Sequence, residues 1–135
     1  MFGNNKGNKP QNRIDCLIGA GTTIEGNIVF SGGLRVDGHV RGDVVAADEK
    51  PGTLVLSEQA RIEGEIRVSH VVINGTVVGP LHAGEYAELQ AKANVTGDVY
   101  YRTLEMQLGA VVQGRLNHTE PGSASVVELK RAAAE

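Results

Sequence analysis

Apolar residues and glycines occupy every second position from residue 36 to residue 44, and polar residues fill the positions between them. Strict alternation of this kind predicts a β-strand with one buried side and one solvent-facing side. The five-residue pattern apolar–x–Gly–x–apolar returns six more times along the chain, at 24–28, 62–66, 73–77, 77–81, 95–99 and 112–116. This repetition predicts an array of short strands.

The spacing of the repeats predicts the architecture. One glycine from each repeat gives spacings of 16, 22, 15, 18 and 17 residues, the glycines being Gly26, Gly42, Gly64, Gly79, Gly97 and Gly114. A period of about 17 residues is typical of solenoid turns, and six such turns cover residues 14–117. The long interval of 22 contains residues 47–52, which have the polar composition of a turn insertion. We therefore expect an all-β protein, a β-solenoid whose turns carry three short strands and stack in parallel register about 4.8 Å apart.

The alternation also assigns the two sides of each strand. Glu25, Arg41 and Glu63 fall in the same solvent-facing slot of successive turns, which predicts a ladder of alternating charges along the outside. The periodic glycine is expected to leave room where opposite walls of a thin core would otherwise collide.

Both ends of the chain lie outside the repeat. Residues 1–13 are rich in Asn and Gly and are expected to be a disordered leader, and residues 118–135 a flexible tail. The leader carries a candidate membrane-binding set, Met1, Phe2, Lys6 and Lys9. Burial of the Phe2 ring would contribute about 2–3 kcal/mol, and each basic residue near an anionic leaflet about 1 kcal/mol.

Composition and charge narrow the class of protein. Aromatic residues make up 4% of the chain and tryptophan is absent, which suits a narrow aliphatic core. A net charge of −3 gives no reason to expect a nucleic-acid partner. The single cysteine, Cys16, fits a reducing compartment, and no apolar run approaches the roughly 18 residues of a membrane span. We expect a cytoplasmic protein.

Residues that would carry catalysis are not arranged for it. The four histidines, at 39, 70, 82 and 118, lack the close spacing of metal ligands. No glycine-rich phosphate loop follows a strand and opens a helix, so no nucleotide site is indicated. We therefore expect no catalytic, cofactor or metal site and no enzymatic activity. One enzyme alternative stays open, because the step of six between Ile18, Ile24 and Phe30 is that of a left-handed hexapeptide helix, a fold of trimeric acyltransferases.

The ends of the array suggest self-assembly instead. A solenoid exposes unpaired backbone at its first and last turn, and no strong amphipathic cap precedes or follows the repeats. We expect end-to-end polymerisation, with like ends or head and tail in contact. The candidate contact residues are Leu17, Ile18, Ile24 and Ile28 at one end and Leu104, Met106, Leu108 and Leu116 at the other.

Three segments, 34–44, 60–66 and 93–99, resemble the bactofilins, a family of bacterial cytoskeletal proteins. The resemblance covers residues 14–117, and the leader is similar to the family's short membrane-targeting sequence. It implies a right-handed, triangular parallel β-helix of six windings and nucleotide-independent, non-polar filaments. It also implies a membrane-associated scaffold at the cytoplasmic face of the inner membrane that recruits cell-wall synthases or hydrolases. In some members an aromatic residue near the last winding supports the contact, whereas the candidates at that end here are aliphatic.

Overall fold

The computed structural model describes residues 14–47 and 52–119, where the chain forms fifteen β-strands and no helix. The predicted leader and all of the predicted tail except His118 and Thr119 lie outside the described residues. The strands, in chain order, are β1 Cys16–Ile18, β2 Thr23–Glu25, β3 Ile28–Phe30, β4 Gly32–Val36, β5 His39–Arg41, β6 Val44–Ala46, β7 Gly52–Leu56, β8 Arg61–Glu63, β9 Ile66–Ile73, β10 Thr76–Val78, β11 Leu81–Leu89, β12 Asn94–Thr96, β13 Val99–Met106, β14 Val111–Gln113 and β15 Leu116–His118.

The strands build three walls. The first wall consists of β1, β4, β7 and the second halves of β9, β11 and β13. The second wall consists of β2, β5, β8, β10, β12 and β14, and the third of β3, β6, the first halves of β9, β11 and β13, and β15. All pairings between successive turns are parallel, as in Ile24 with Val40 and Val40 with Ile62. The described residues thus make six turns of a three-sided β-solenoid, which confirms the predicted fold class.

Stacked columns of aliphatic side chains fill the interior. Val36, Val40 and Val44 have 0% exposure, and the polar residues that alternate with them along the chain face outward. In the next turn the buried Leu56 continues the column of Val36, and the buried Ile62 continues that of Val40. Alternation therefore identified the core-facing positions within the strands correctly.

The corner between the first and second walls occurs in two lengths. Four-residue corners occupy 19–22, 57–60, 90–93 and 107–110, whereas 37–38 and 74–75 are two-residue corners. Each long corner is closed by a backbone hydrogen bond from its fourth N–H to its first carbonyl, as between Ala60 and Ser57 at 3.0 Å. The two-residue corners fall in the intervals of 15 and 16 residues and the four-residue corners in the longer intervals, so corner length accounts for much of the uneven period. The insertion predicted at 47–52 lies between β6 and β7, and residues 48–51 of it are outside the described residues.

The repeating glycine lies at the corner between the second and third walls, where successive backbones touch. Gly42 and Gly64 both have φ of +155°, in the region that L side chains avoid. A Cβ on Gly64 would also collide with the carbonyl oxygen of Gly42, and Gly97 relates to Gly79 in the same way. The expected role of these glycines in the core was therefore wrong: they allow one turn of backbone to lie directly on the next.

We expect Gly64→Ala to lower the free energy of unfolding by roughly 1–3 kcal/mol, because it combines backbone strain with a collision against the neighbouring turn. Equilibrium denaturation in guanidinium would measure the change. Gly84→Ala is the matched control, since a Cβ there would have its nearest neighbour at 3.9 Å. Equal stability of the two variants would contradict the stacked-corner explanation.

Candidate functional site: the two open ends

The first and last turns have one unpaired edge each. Strands β1, β2 and β3 pair only with β4, β5 and β6 among the described residues. At the other end β14, β15 and the second half of β13 likewise pair on one side only. Unpaired edges of this kind are templates for further strand pairing.

At the N-terminal end the core columns finish in a cluster of uncharged side chains. The column-ending residues are Cys16, Ile18, Ile24, Ile28 and Phe30, each in register with a residue of the second turn. Of these, Ile18 is buried at 7% exposure, the isoleucines and Phe30 on the other two walls are half-buried, and Cys16 is exposed. Their partners one turn further in, such as Val36 and Val40, have 0% exposure. The terminal turn therefore leaves apolar surface that a further turn would cover.

At the C-terminal end the same columns finish in a more open cluster. The column-ending residues are Leu104, Met106, Val112, Leu116 and His118. Met106 is 41% exposed and Leu116 45%, whereas their partners one turn back, Leu89 and Val99, have 0% exposure. These side chains stand on the core but have no turn above them among the described residues.

Exposed apolar side chains concentrate at these ends. Among the described residues eight large hydrophobic side chains are exposed: Ile14, Leu17, Val29, Val78, Met106, Leu108, Val111 and Leu116. All but Val78 belong to the first or last turn or directly precede it. Clustered apolar exposure rimmed by polar residues is typical of an interaction surface.

The predicted contact residues divide into two groups. Six of the eight predicted residues are the last residues of core columns. Leu17, by contrast, is paired with the outward-facing Arg35 and is 58% exposed on the first wall. Leu108 lies in the last four-residue corner and is 96% exposed. The contact role of all eight stays a prediction.

Sequence reasoning missed four column-ending residues: Cys16, Phe30, Val112 and His118. Alternation alone could have found three of them, since each lies two positions from a predicted one (Ile18, Ile28 or Leu116). Ring side chains are present at both ends, although the predicted contact residues are not aromatic. Phe30 ends one column, and the His118 ring lies over the Tyr101 ring with the two centroids 5.6 Å apart.

The second wall differs in charge between its two halves. In turns one to three its outward positions include Glu25, His39, Arg41, Arg61 and Glu63. Arg41 lies 3.6 Å from Glu25, which confirms the predicted ladder, and Arg61 donates to Glu63 at 2.6 Å. This hydrogen bond is the main cause that lowers the pKa of Glu63. The outward residues of turns four to six are uncharged: Thr76, Val78, Asn94, Thr96, Val111 and Gln113.

A small cavity on the third wall is lined by the remaining side chains that could take part in catalysis. It has a volume of about 340 Å³ and is lined in part by Ser69 and His82. The Ser69 hydroxyl donates to the Gly52 carbonyl at 2.8 Å and accepts from the Gly52 N–H at 2.9 Å, so its bonding role is structural. Burial, together with the nearby Arg67, lowers the pKa of His82 even though Glu65 opposes the shift, and its ring stacks on that of Tyr100. The described residues contain no group of three or more His, Cys, Asp or Glu that could hold a metal ion.

The described residues therefore define a class of protein, a three-sided parallel β-solenoid whose first and last turns each have one unpaired, apolar edge. Residues 16–117 match the family model Bactofilin, described as polymer-forming cytoskeletal. The chain therefore belongs to the bactofilin family and is a polymer-forming cytoskeletal protein. Family membership favours this function over the acyltransferase alternative.

Two individual proteins are similar to this chain. It is 26% identical over 110 residues to bactofilin BacP of Myxococcus xanthus, a match that covers 80% of this chain and 44% of that protein. The chain thus spans less than half the length of this curated relative. It is also similar to the Thermus thermophilus bactofilin in a cryo-EM reconstruction of double helical filaments, with 33% identity and a TM-score of 0.60. That match covers 75% of this chain and 98% of the other.

Proposed function

We propose that copies of this chain polymerise by stacking their solenoids end to end, like end on like end, into filaments that need no nucleotide. The proposal is carried by the residues that end the core columns, most of which are exposed or half-buried on the first and last turns although the columns are buried inside the solenoid. The filaments formed by the Thermus thermophilus relative support it.

The physical basis is the same as that of the internal turns. Each like-end contact brings the unpaired edges of three strand segments from one copy against those of a second copy. It also covers side chains such as Leu116 and Met106, whose column partners inside the solenoid have no exposure. Apolar burial contributes about 25 cal/mol per Å², and each covered edge gains backbone hydrogen bonds. Neither term requires a bound cofactor, and like-end contacts alternate the orientation of the subunits, so the filament is non-polar.

We expect Leu116→Arg to convert filaments into soluble dimers. The guanidinium would be buried without a partner in the C-terminal contact, at a cost of several kcal/mol, while the N-terminal contact still joins two copies. Light scattering coupled to size exclusion would give the mass, and electron microscopy would report loss of filaments. Head-to-tail stacking predicts monomers instead, and unchanged filaments would contradict the C-terminal contact.

Two matched variants complete this experiment. Asn117→Arg introduces the same charge one residue away, on the outward side of β15, and should leave filaments intact. Ile24→Arg combined with Leu116→Arg blocks both ends and should yield monomers. Circular dichroism of each variant would establish that the β-structure is retained.

We further propose that the filaments are peripherally associated with an anionic membrane through Met1, Phe2, Lys6 and Lys9. The argument rests on the sequence, since these residues lie outside the described part of the chain. A single copy would bind weakly, whereas a polymer multiplies the contact without new interactions. In the described ranges, 14–47 and 52–119, no helix has the length and apolar character needed to cross a bilayer.

Deleting residues 2–9 should abolish co-sedimentation with vesicles that contain anionic lipid and leave assembly unchanged. Uncharged vesicles are the control for surface charge, and Phe2→Ser separates the apolar contribution from the basic one. Retained binding by the deletion variant would contradict the proposed anchor.

In the cell we propose that such a polymer acts as a scaffold at the cytoplasmic face of the inner membrane and holds cell-wall synthases or hydrolases in place. The resemblance to the bactofilins supports this role. Localisation of a fluorescent fusion with and without Phe2 would test it: a diffuse signal from the intact protein would contradict the scaffold.

A further inference from the structure

One outward-facing column of the first wall changes in character from one end of the solenoid to the other. Turns one and two contribute an exposed leucine and an exposed arginine, turns three and four two half-buried valines, and turns five and six two glutamates. In register order these residues are Leu17, Arg35, Val55, Val72, Glu88 and Glu105. The column thus carries a positive charge in its first half, is apolar in the middle and carries negative charge in its second half.

The two carboxylates of this column have no cationic partner within ion-pair distance among residues 14–47 and 52–119. Glu88 accepts a hydrogen bond from the side-chain amide of Gln90 at 3.1 Å, and Glu105 accepts one from the hydroxyl of Tyr86 at 2.6 Å. Both donors are uncharged, so they hold the carboxylates on the face of the wall without balancing their charge.

The arginine of the column is available for a second carboxylate. The Nε of Arg35 donates to Asp37 at 2.9 Å, and the arginine side chain is 46% exposed. A guanidinium has five N–H donors in a planar fork that matches the geometry of a carboxylate. Arg35 can therefore keep its contact with Asp37 and bind a further carboxylate at the same time.

The column is complementary to a reversed copy of itself. If two first walls face each other with antiparallel solenoid axes and a two-fold axis between turns three and four, turn two of each copy lies opposite turn five of the other. Arg35 then faces Glu88 of the second copy, and Val55 faces Val72 of the second copy. With parallel axes the same column would place like charges against each other. Charge therefore favours the antiparallel arrangement.

The positions beside this column fit the same arrangement. One column over, Tyr86 of turn five lies opposite Gly33 of turn two, where the absence of a side chain leaves room for the ring. At the corner next to the second wall, turn two carries Asp37 and turn five carries Lys92. Shape and charge thus match on both sides of the Arg35–Glu88 pair.

We propose that the first wall is a lateral contact surface for a second copy of this chain, docked antiparallel, with Arg35 of each copy paired with Glu88 of the other around an apolar centre of Val55 and Val72. The inference rests on the end-to-end stacking proposed above. A non-polar filament contains subunits of both orientations, so it offers this contact to a second filament whichever way that filament lies.

The size of the wall indicates that this contact depends on the polymer. Six turns of about 4.8 Å and three residues of about 3.3 Å give a footprint of roughly 300 Å² per copy. A stable complex typically buries about 800 Å² per partner. One pair of subunits would therefore associate weakly, whereas filaments repeat the contact along their length and gain affinity through avidity.

The test exchanges charges in the full chain and measures filament width by electron microscopy. We expect the parent protein to form paired filaments, about twice as wide as single ones. Arg35→Glu opposes carboxylates across the contact and Glu88→Arg opposes guanidiniums, so each variant alone should form single filaments of about half that width. Preassembled filaments of the two variants should pair when mixed, because every opposed position then joins a carboxylate to a guanidinium. The variant with both substitutions should pair with itself.

Two controls separate this contact from other effects. Arg41→Glu makes the same charge change on the second wall and should leave filaments paired. The Leu116→Arg dimer should keep its mass, because a single lateral contact is too small to hold two dimers together. Circular dichroism would establish that each variant retains its β-structure.

Parent filaments that stay single would overturn the proposal and leave the first wall to another occupant. Variants that pair as the parent does, or variant filaments that stay single after mixing, would overturn it too. Failure of end-to-end stacking is recognised separately, because the parent protein would then form no filaments of either width, and both proposals would fall.

Discussion

The strands of this solenoid satisfy their backbone hydrogen bonds through the strands of the turns above and below them. The pairing of Ile24 with Val40 and of Val40 with Ile62 illustrates the rule, which holds along all three walls. The same rule keeps the side chains of each column in contact about every 4.8 Å, which builds a dry core from Val, Ile, Leu and Ala. It also means that the first and last turns of the described residues each keep one edge that no further turn covers. The end-to-end stacking proposed above would extend at these edges the same pairing that stabilises the fold.

Most of the fold could be predicted because a strand has a side-chain period of two. Alternation identified the buried Val36, Val40 and Val44, and the glycine spacing gave the number of turns. It also placed Glu25 beside Arg41 one turn away. The role predicted for the repeating glycine was wrong for a physical reason. Gly42 has the same parity as the valines on either side of it, so alternation assigned it to the core, but the chain turns a corner there and the parity no longer reports orientation.

The candidate site could be predicted only in outline. Apolar character selected Leu17 and Ile18 together, although adjacent residues of a strand face opposite sides. Leu108 was selected in the same way, but it lies in a corner outside the core column. His118 was considered only as a possible metal ligand, because the repeat pattern was taken to end at residue 117, whereas β15 continues through it. Composition identifies a region as apolar, but the register between turns determines which of its side chains face the next copy.

The division of the second wall into a charged half and an uncharged half has a consequence on a longer scale. Six turns at about 4.8 Å give each subunit a length of roughly 29 Å. In a filament of alternating orientation the charged halves of two neighbours adjoin, and the uncharged halves of the next two do the same. The second wall along the polymer would then be banded, with zones of mixed charge and zones of neutral Thr, Val, Asn and Gln repeating every 58 Å or so. Such a filament would present two kinds of binding surface in regular alternation along its length.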